Sequence, residues 1–198
     1  MHDGQQYSMK RFRTAYAVPA AFGVCILFML WRPTHFIADD SYFYLVVADN
    51  IAAGNGISFN GLTPTNGVQP LWAALLVPAA ALTDARPTYL RVVVLLHAAL
   101  SIAGFAGLRF GLRRLDFGKF WVVATLPALF VLGALGVLAS EAAVCFAAVA
   151  AVIGVFARVQ LASDKPSRHG AALLGVALGV AMLARLDNVF LAGVVTAG

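Results

Sequence analysis

The chain has 198 residues, 61% of them hydrophobic and 12% charged, with a formal net charge of +5 and a mean hydropathy of +0.84. Such a composition excludes an ordinary soluble domain and points to a polytopic membrane protein, so the positive charge is a topology signal and not a nucleic-acid footprint. Cys25 and Cys145 both fall inside apolar runs and read as small core residues, not as a disulfide or metal pair.

Lys10, Arg11 and Arg13 precede a first apolar run at 14–31. It is of span length and has no clear small-residue cleavage site after it, so it reads as an anchor and not as a cleavable leader. Membrane spans are expected at about 14–31, 90–108, 120–139, 142–157 and 170–184, because a helix rising about 1.5 Å per residue covers most or all of about 30 Å of hydrocarbon over such lengths. A sixth apolar run, 188–198, reaches Gly198 without a cap or polar tail, as expected of the N-terminal part of a longer protein. The fold class is therefore all-α: a single polytopic transmembrane helical bundle.

The run 70–82 is apolar but would extend only about 20 Å as a helix, and Pro78 interrupts it. If it does not span, Lys10, Arg11, Arg13, Arg109, Arg113, Arg114, Lys119, Arg158, Lys165 and Arg168 share one side against Arg32, Arg86, Arg91 and Arg185, ten to four. If it does span, the split becomes six to eight. The positive-inside rule selects the first arrangement, with a cytoplasmic N-terminus, an outer loop at 32–89, and short outer turns at Ser140–Glu141 and Arg185–Asn188. Asp39, Asp40, Asp49, Asp84, Glu141 and Asp187 then gather on the outer face.

Within the outer loop, surface helices are expected at about 41–53 and 70–82. In the first, Phe43, Val47 and Ile51 form a stripe, with Tyr44, Ala48 and Ala52 beside it. Asp39, Asp40 and Ser41 stand at its start, where free amides favour acceptors and negative charge. The glycines and asparagines that follow mark tight turns, and Pro70 suits the first position of the short helix carrying Trp72.

Asp39 and Asp40 admit two compatible roles: caps for the surface helix, or a general base or metal ligand at the membrane interface. Glu141 is either a helix-start acid or a second acid converging on that pair. Arg185 and Asp187 are either an ion pair within one turn or a contact to an anionic head group. Arg91 either snorkels to the interface or neutralises a lipid phosphate. Tyr42, Tyr44 and Trp72 are either interfacial anchors or the lining of a sugar or lipid groove. No Cys/His metal spacing, phosphate-binding glycine loop or nucleophile elbow is present.

A first span followed by DDSYFYLVVADNIAAGNG, then TNGVQPLW, a short apolar helix, a span ending LRFGLRRLDFG, and ARLDNVFL near the end resembles the membrane glycosyltransferases of the GT-C superfamily. That group includes the protein O-mannosyltransferases, the aminoarabinose transferases and the arabinofuranosyltransferases. The resemblance implies a GT-C-like fold, with Asp39 as catalytic base, Asp40 beside it and Glu141 as the acid of the second outer loop. It also implies an inverting transfer from a polyprenyl-phosphate sugar donor to a hydroxyl of a lipid, glycan or protein acceptor. Arg91 and Arg185 are the expected helpers of the departing phosphate, with Asp187, Tyr42 and Trp72 as further substrate contacts. Some members hold a divalent metal (Mg or Mn) through such acids and others need none, which leaves a metal at Asp39, Asp40 and Glu141 open.

The expected setting is a bacterial cytoplasmic membrane with the site on its outer face, in contact with membrane lipids and without nucleic acid. The fragment alone is expected to be inactive, since the donor groove needs further helices. Two alternatives belong to other classes: a transporter or flippase for a lipid-linked or anionic substrate, and a non-catalytic membrane scaffold. The absence of an internal repeat argues against the transporter.

Overall fold

The computed structural model describes residue 20 and residues 22–37, 39–115, 140–160 and 167–197. The span expected at 120–139, the first part of 14–31 and its preceding basic residues lie outside the described residues. Among the described residues the regular structure is helical, with one isolated bridge between Ser58 and Pro64.

Helix α1 (Phe22–Trp31) is followed by a 3-10 turn, Pro33–Phe36, and by α2 (Asp39–Ala52) and α3 (Pro70–Ala81). Then come α4 (Arg86–Arg114), α5 (Ala142–Gln160) and α6 (Arg168–Ala184), a 3-10 turn at Leu186–Asn188, and α7 (Val189–Ala197). By length and composition α4 and α5 can each cross a membrane. Proline at the first turn starts α3 and α4, where its missing N–H costs nothing. Ser167 caps α6 by accepting from the Gly170 amide at 3.1 Å.

Helices α4 and α5 pack closely through small residues. A Cβ added at Gly104 would meet the Phe146 ring, one at Gly107 would meet Ala150, and one at Gly111 would meet Ile153 and Gly154. Residue numbers rise together along that contact, so α4 and α5 run parallel, and Leu115 and Ser140 stand at opposite ends of the pair. Gly170 lies against Val159, which makes α6 antiparallel to α5. Glycine at these crossings lets backbones approach more nearly than any side chain would allow.

At the end where α4 begins, α2 and α3 lie over the helices. Tyr44, Leu45 and Ala48 of α2 join Trp72, Leu76 and Ala79 of α3 in one core with residues of α4, α5 and α6. Leu45 and Leu76 are fully enclosed, each worth roughly 1.5–3 kcal/mol of burial. The stripe expected through Phe43 is displaced: α2 buries Ser41, Tyr44, Leu45, Val47 and Ala48. Phe43 is instead covered by the following loop, stacking on Phe59 at 5.4 Å and meeting Gly67.

That loop is held by side-chain amides. Asn50 donates to the carbonyls of Ser58 at 2.9 Å and Phe59 at 3.1 Å. The Asn60 Oδ1 accepts from the amides of Leu62 and Thr63, both at 2.9 Å. Gly54, Gly56 and Gly61 have φ of 83°, 75° and 73°, a region other residues enter at a cost. Beyond it, Arg86 pairs with Asp49 and lies over the Tyr89 ring at 5.2 Å, tying the end of α2 to the start of α4.

Candidate functional site

The antiparallel turn from α6 to α7 brings Arg185, Asp187 and Asn188 to the residue that precedes α5. Arg185 Nε donates to Asp187 Oδ2 at 3.0 Å, and its Nη1 lies 3.7 Å from Glu141 Oε1. Asn188 Nδ2 donates to the Ala181 carbonyl at 2.7 Å and lies 3.4 Å from Cys145 Sγ, one turn beyond Glu141. From α2, the Tyr44 phenol lies close enough to Glu141 for that carboxylate to act on it. Glu141 therefore has the Tyr44 phenol and the Arg185 guanidinium as neighbours.

The electrostatics follow from those neighbours. Burial first, then the nearby Glu141 carboxylate, push the Tyr44 phenol up from 10.0 to about 12, with Arg185 opposing and Asp40 adding to the rise. Arg185 is held above its ordinary value by the hydrogen bond to Asp187, with burial opposing and the charge of Glu141 adding to the rise. Ser41, on the buried face of α2 one turn before Tyr44, is 1% exposed, and its hydroxyl has no hydrogen-bond partner.

Asp39 and Asp40 form the first turn of α2 and are exposed. Their place at the helix start agrees with the capping role in kind, since free N–H groups there favour negative charge. The charge of Asp40 acts on Tyr44, as that of Glu141 does, so the start of α2 shares an electrostatic neighbourhood with Glu141 and Arg185.

Other expected residues stand elsewhere. Arg91 Nε donates to the Leu30 carbonyl at 3.2 Å, at the end of α1. Tyr42 is half-buried against the core. Trp72 is a correction: at 0% exposure it offers no surface to a groove, because α3 packs its tryptophan inward under α2. A metal at Asp39, Asp40 and Glu141 does not fit either, since no three metal-ligating side chains group together among the described residues. Glu141 already has Tyr44 and Arg185 beside its carboxylate.

Sequence reasoning left Tyr44 as an interfacial anchor or a groove aromatic and missed its proximity to Glu141. The available signal was its position one turn after Asp40. An open apolar groove of about 510 Å³ also runs beside α3, lined by Ile51, Ile57, Val68, Ala73 and Val77 among others. None of the expected site residues line it.

Comparison with protein-family models, with curated proteins and with solved structures finds no match. The functional reading consequently rests on the residues and their geometry.

Proposed function

We propose that this chain is a membrane-embedded glycosyltransferase of the GT-C type, moving a sugar from a polyprenyl-phosphate donor to an acceptor hydroxyl at the outer face of a membrane. The supporting observation is the meeting of Tyr44, Glu141, Arg185 and Asp187 beside the acidic start of α2. Three chain segments far apart in sequence contribute charged or polar groups to one end of the bundle. Five other arginines bear on orientation: Arg109, Arg113, Arg114, Arg158 and Arg168 belong to the opposite end, which suits a cytoplasmic face.

In this reading Asp39, exposed at the helix start, takes the proton of the acceptor hydroxyl. The hydroxyl oxygen attacks the anomeric carbon from the side opposite the lipid phosphate, the carbon–oxygen bond to the phosphate breaks, and the phosphate leaves with that electron pair. Asp40 keeps the local field negative, which favours the proton's arrival. Glu141 is an anchoring acid: set beside Tyr44 and Arg185, it holds the ends of α5 and α6 against α2 and is unavailable as a base.

The test is a transfer assay on membranes containing the protein, with a labelled polyprenyl-phosphate sugar. Loss of a positioned base lowers rates by about 10²–10⁴-fold, and Asp39→Asn is expected to fall in that range with Asp40→Asn losing less. Full activity in both variants would remove the assignment. Movement of the labelled lipid across the bilayer without any transfer would favour the transporter class instead.

A further inference from the structure

At the end of the bundle that carries the acids stand four arginines, and two of them are already committed. Arg86 pairs with Asp49, and Arg185 with Glu141 and Asp187. Arg32 and Arg91 have no carboxylate within salt-bridge distance among the described residues, although six acidic residues share their end. Both are exposed and meet at one corner of the fold. Arg91 Nε donates to Leu30, and Arg32 lies two residues further on with its guanidinium 5.0 Å from the Trp31 ring centre.

The corner is firmly built. Met29 of α1 and Val94 of α4 are 2% and 0% exposed and pack with Ile26, Leu30 and Ile37. The His35 amide donates to the Arg32 carbonyl at 3.2 Å, closing the 3-10 turn that leads towards Asp39. The carbonyl end of α1 accounts for one nitrogen of Arg91 as a helix-end partner. Among the described residues it leaves the Nη nitrogens of Arg91 and the nitrogens of Arg32 without a hydrogen-bond acceptor, as planar donor sets whose geometry matches phosphate oxygens. Directly below them along α1, Val24, Leu27 and Trp31 are 65%, 68% and 67% exposed, an apolar strip continuous with the cationic tip. Cationic donors above an apolar strip fit an amphiphile with a phosphate head and a hydrocarbon tail.

We infer that Arg32 and Arg91 form a binding site for the phosphate of a long-chain lipid, with the chain lying along α1. The inference rests on the glycosyltransferase reading for which lipid is bound, namely the donor or its released carrier, but not for the existence of the site. It also reassigns a role: Arg185 fixes Glu141, and the phosphate goes to the α1 corner.

The test is titration of the whole chain in uncharged, phosphate-free maltoside micelles with farnesyl phosphate, followed by calorimetry and native mass spectrometry. Farnesyl phosphate is expected to bind one to one, with farnesol and inorganic phosphate at least tenfold weaker. Removing one charge-assisted contact weakens binding by about ten- to a hundredfold, so Arg32→Gln and Arg91→Gln should each do so. Arg114→Gln, at the other end of α4, should bind as the wild type does. Arg32→Gln decides the matter should Arg91→Gln unfold, because among the described residues the Arg32 side chain is held by the Trp31 ring alone. Wild-type affinity in Arg32→Gln, or equal binding of farnesol, overturns the site. Phosphatidylglycerol binding as tightly as farnesyl phosphate overturns the donor assignment and identifies a bulk-lipid anchor. Sugar transfer that persists while binding is unaffected by both substitutions sinks this inference and spares the enzyme reading. Specific binding without transfer does the reverse.

Discussion

Glu141 stands at the N-terminal edge of α5, so its position depends on how α5 sits against α4, and that contact can be perturbed at single atoms. A Cβ added at Gly111 would lie 2.8 Å from Ile153 Cγ2, 3.1 Å from Gly154 N and 3.1 Å from the Ile153 carbonyl carbon. Two of those three neighbours are backbone, which cannot turn aside, so Gly111→Ala must push the helices apart. Overpacking of this kind costs about 1–3 kcal/mol, while alanine regains about 0.8–1 kcal/mol of helix propensity, leaving a net loss of up to about 2 kcal/mol. At Gly104 the clash is with the Phe146 ring at 2.5 Å and with Ala147 Cα at 3.2 Å. That ring is also tied edge-on to Phe105 at 5.0 Å, so Gly104→Ala should cost a similar amount. Gly107 meets its nearest atom at 3.4 Å, an ordinary contact, and Gly107→Ala should be close to neutral. Gly175 and Gly179 have nothing within 4 Å, so alanine there should stabilise by up to about 1 kcal/mol. Reversible unfolding in mixed micelles, followed by circular dichroism, measures the series. Gly111→Ala as stable as the wild type would refute the close parallel packing of α4 and α5, and with it the placement of Glu141.

The raised Tyr44 phenol gives an optical readout. Because it is pushed up to about 12, the tyrosinate absorbance band should gain amplitude late in a titration, and Tyr44→Phe should reduce that late amplitude. The sign is that of a group whose folded value is raised: its stabilising contribution is complete below about pH 10 and is lost as pH rises towards 12. A Tyr44→Phe protein with an unchanged late amplitude would remove the Tyr44–Glu141 contact. In the loop between α2 and α3, Asn60→Ala strands the Leu62 and Thr63 amides, whose hydrogen bonds Asn60 now accepts. Losing such bonds costs about 0.5–1.5 kcal/mol each, so hydrogen exchange at those two amides should quicken by about tenfold while the core of α4 stays protected. Unchanged exchange there would mean the loop is held by other contacts.

The local features were legible because their causes are local. Pro70 marked the first turn of α3, and Asp39 and Asp40 marked the start of α2. The helix begins at Asp39 itself, two residues before the expected 41, because the carboxylates take part in its first turn. Hydropathy placed a span at 90–108, whereas α4 runs from Arg86 to Arg114: apolarity reports where lipid could lie, not where hydrogen bonding stops. The two short turns at Ser140–Glu141 and Arg185–Asn188 were visible singly, but their meeting depends on the antiparallel packing of α5 and α6. Rotation was the least legible quantity. The helix carrying Trp72 is apolar on nearly every side, so nothing in its pattern said which face would turn inward, and the tryptophan went to the core. The same limit separated Tyr44 from Phe43. Only the non-local stacking of Phe59 and the approach of Gly67 decide which of the two aromatics faces the helices.

That rotation has a chemical consequence for how the acidic end divides its labour. With Tyr44 turned inward, Glu141 has the phenol and Arg185 as neighbours, and Arg185 is itself shared with Asp187. A guanidinium placed between two carboxylates sits in a strongly negative local field, and a phosphate approaching it would meet repulsion from both. Taking up the phosphate there would also disturb the exposed Arg185–Asp187 pair, worth up to about 1 kcal/mol. Arg32 and Arg91 carry no such prior claim, and the chain from Arg32 to Asp39 is a single 3-10 turn followed by a short link. The leaving-group cations and the base can therefore stand on opposite flanks of one connection. On the proposed reading, moving the phosphate role from Arg185 to the α1 corner leaves the Arg185–Glu141–Asp187 group intact.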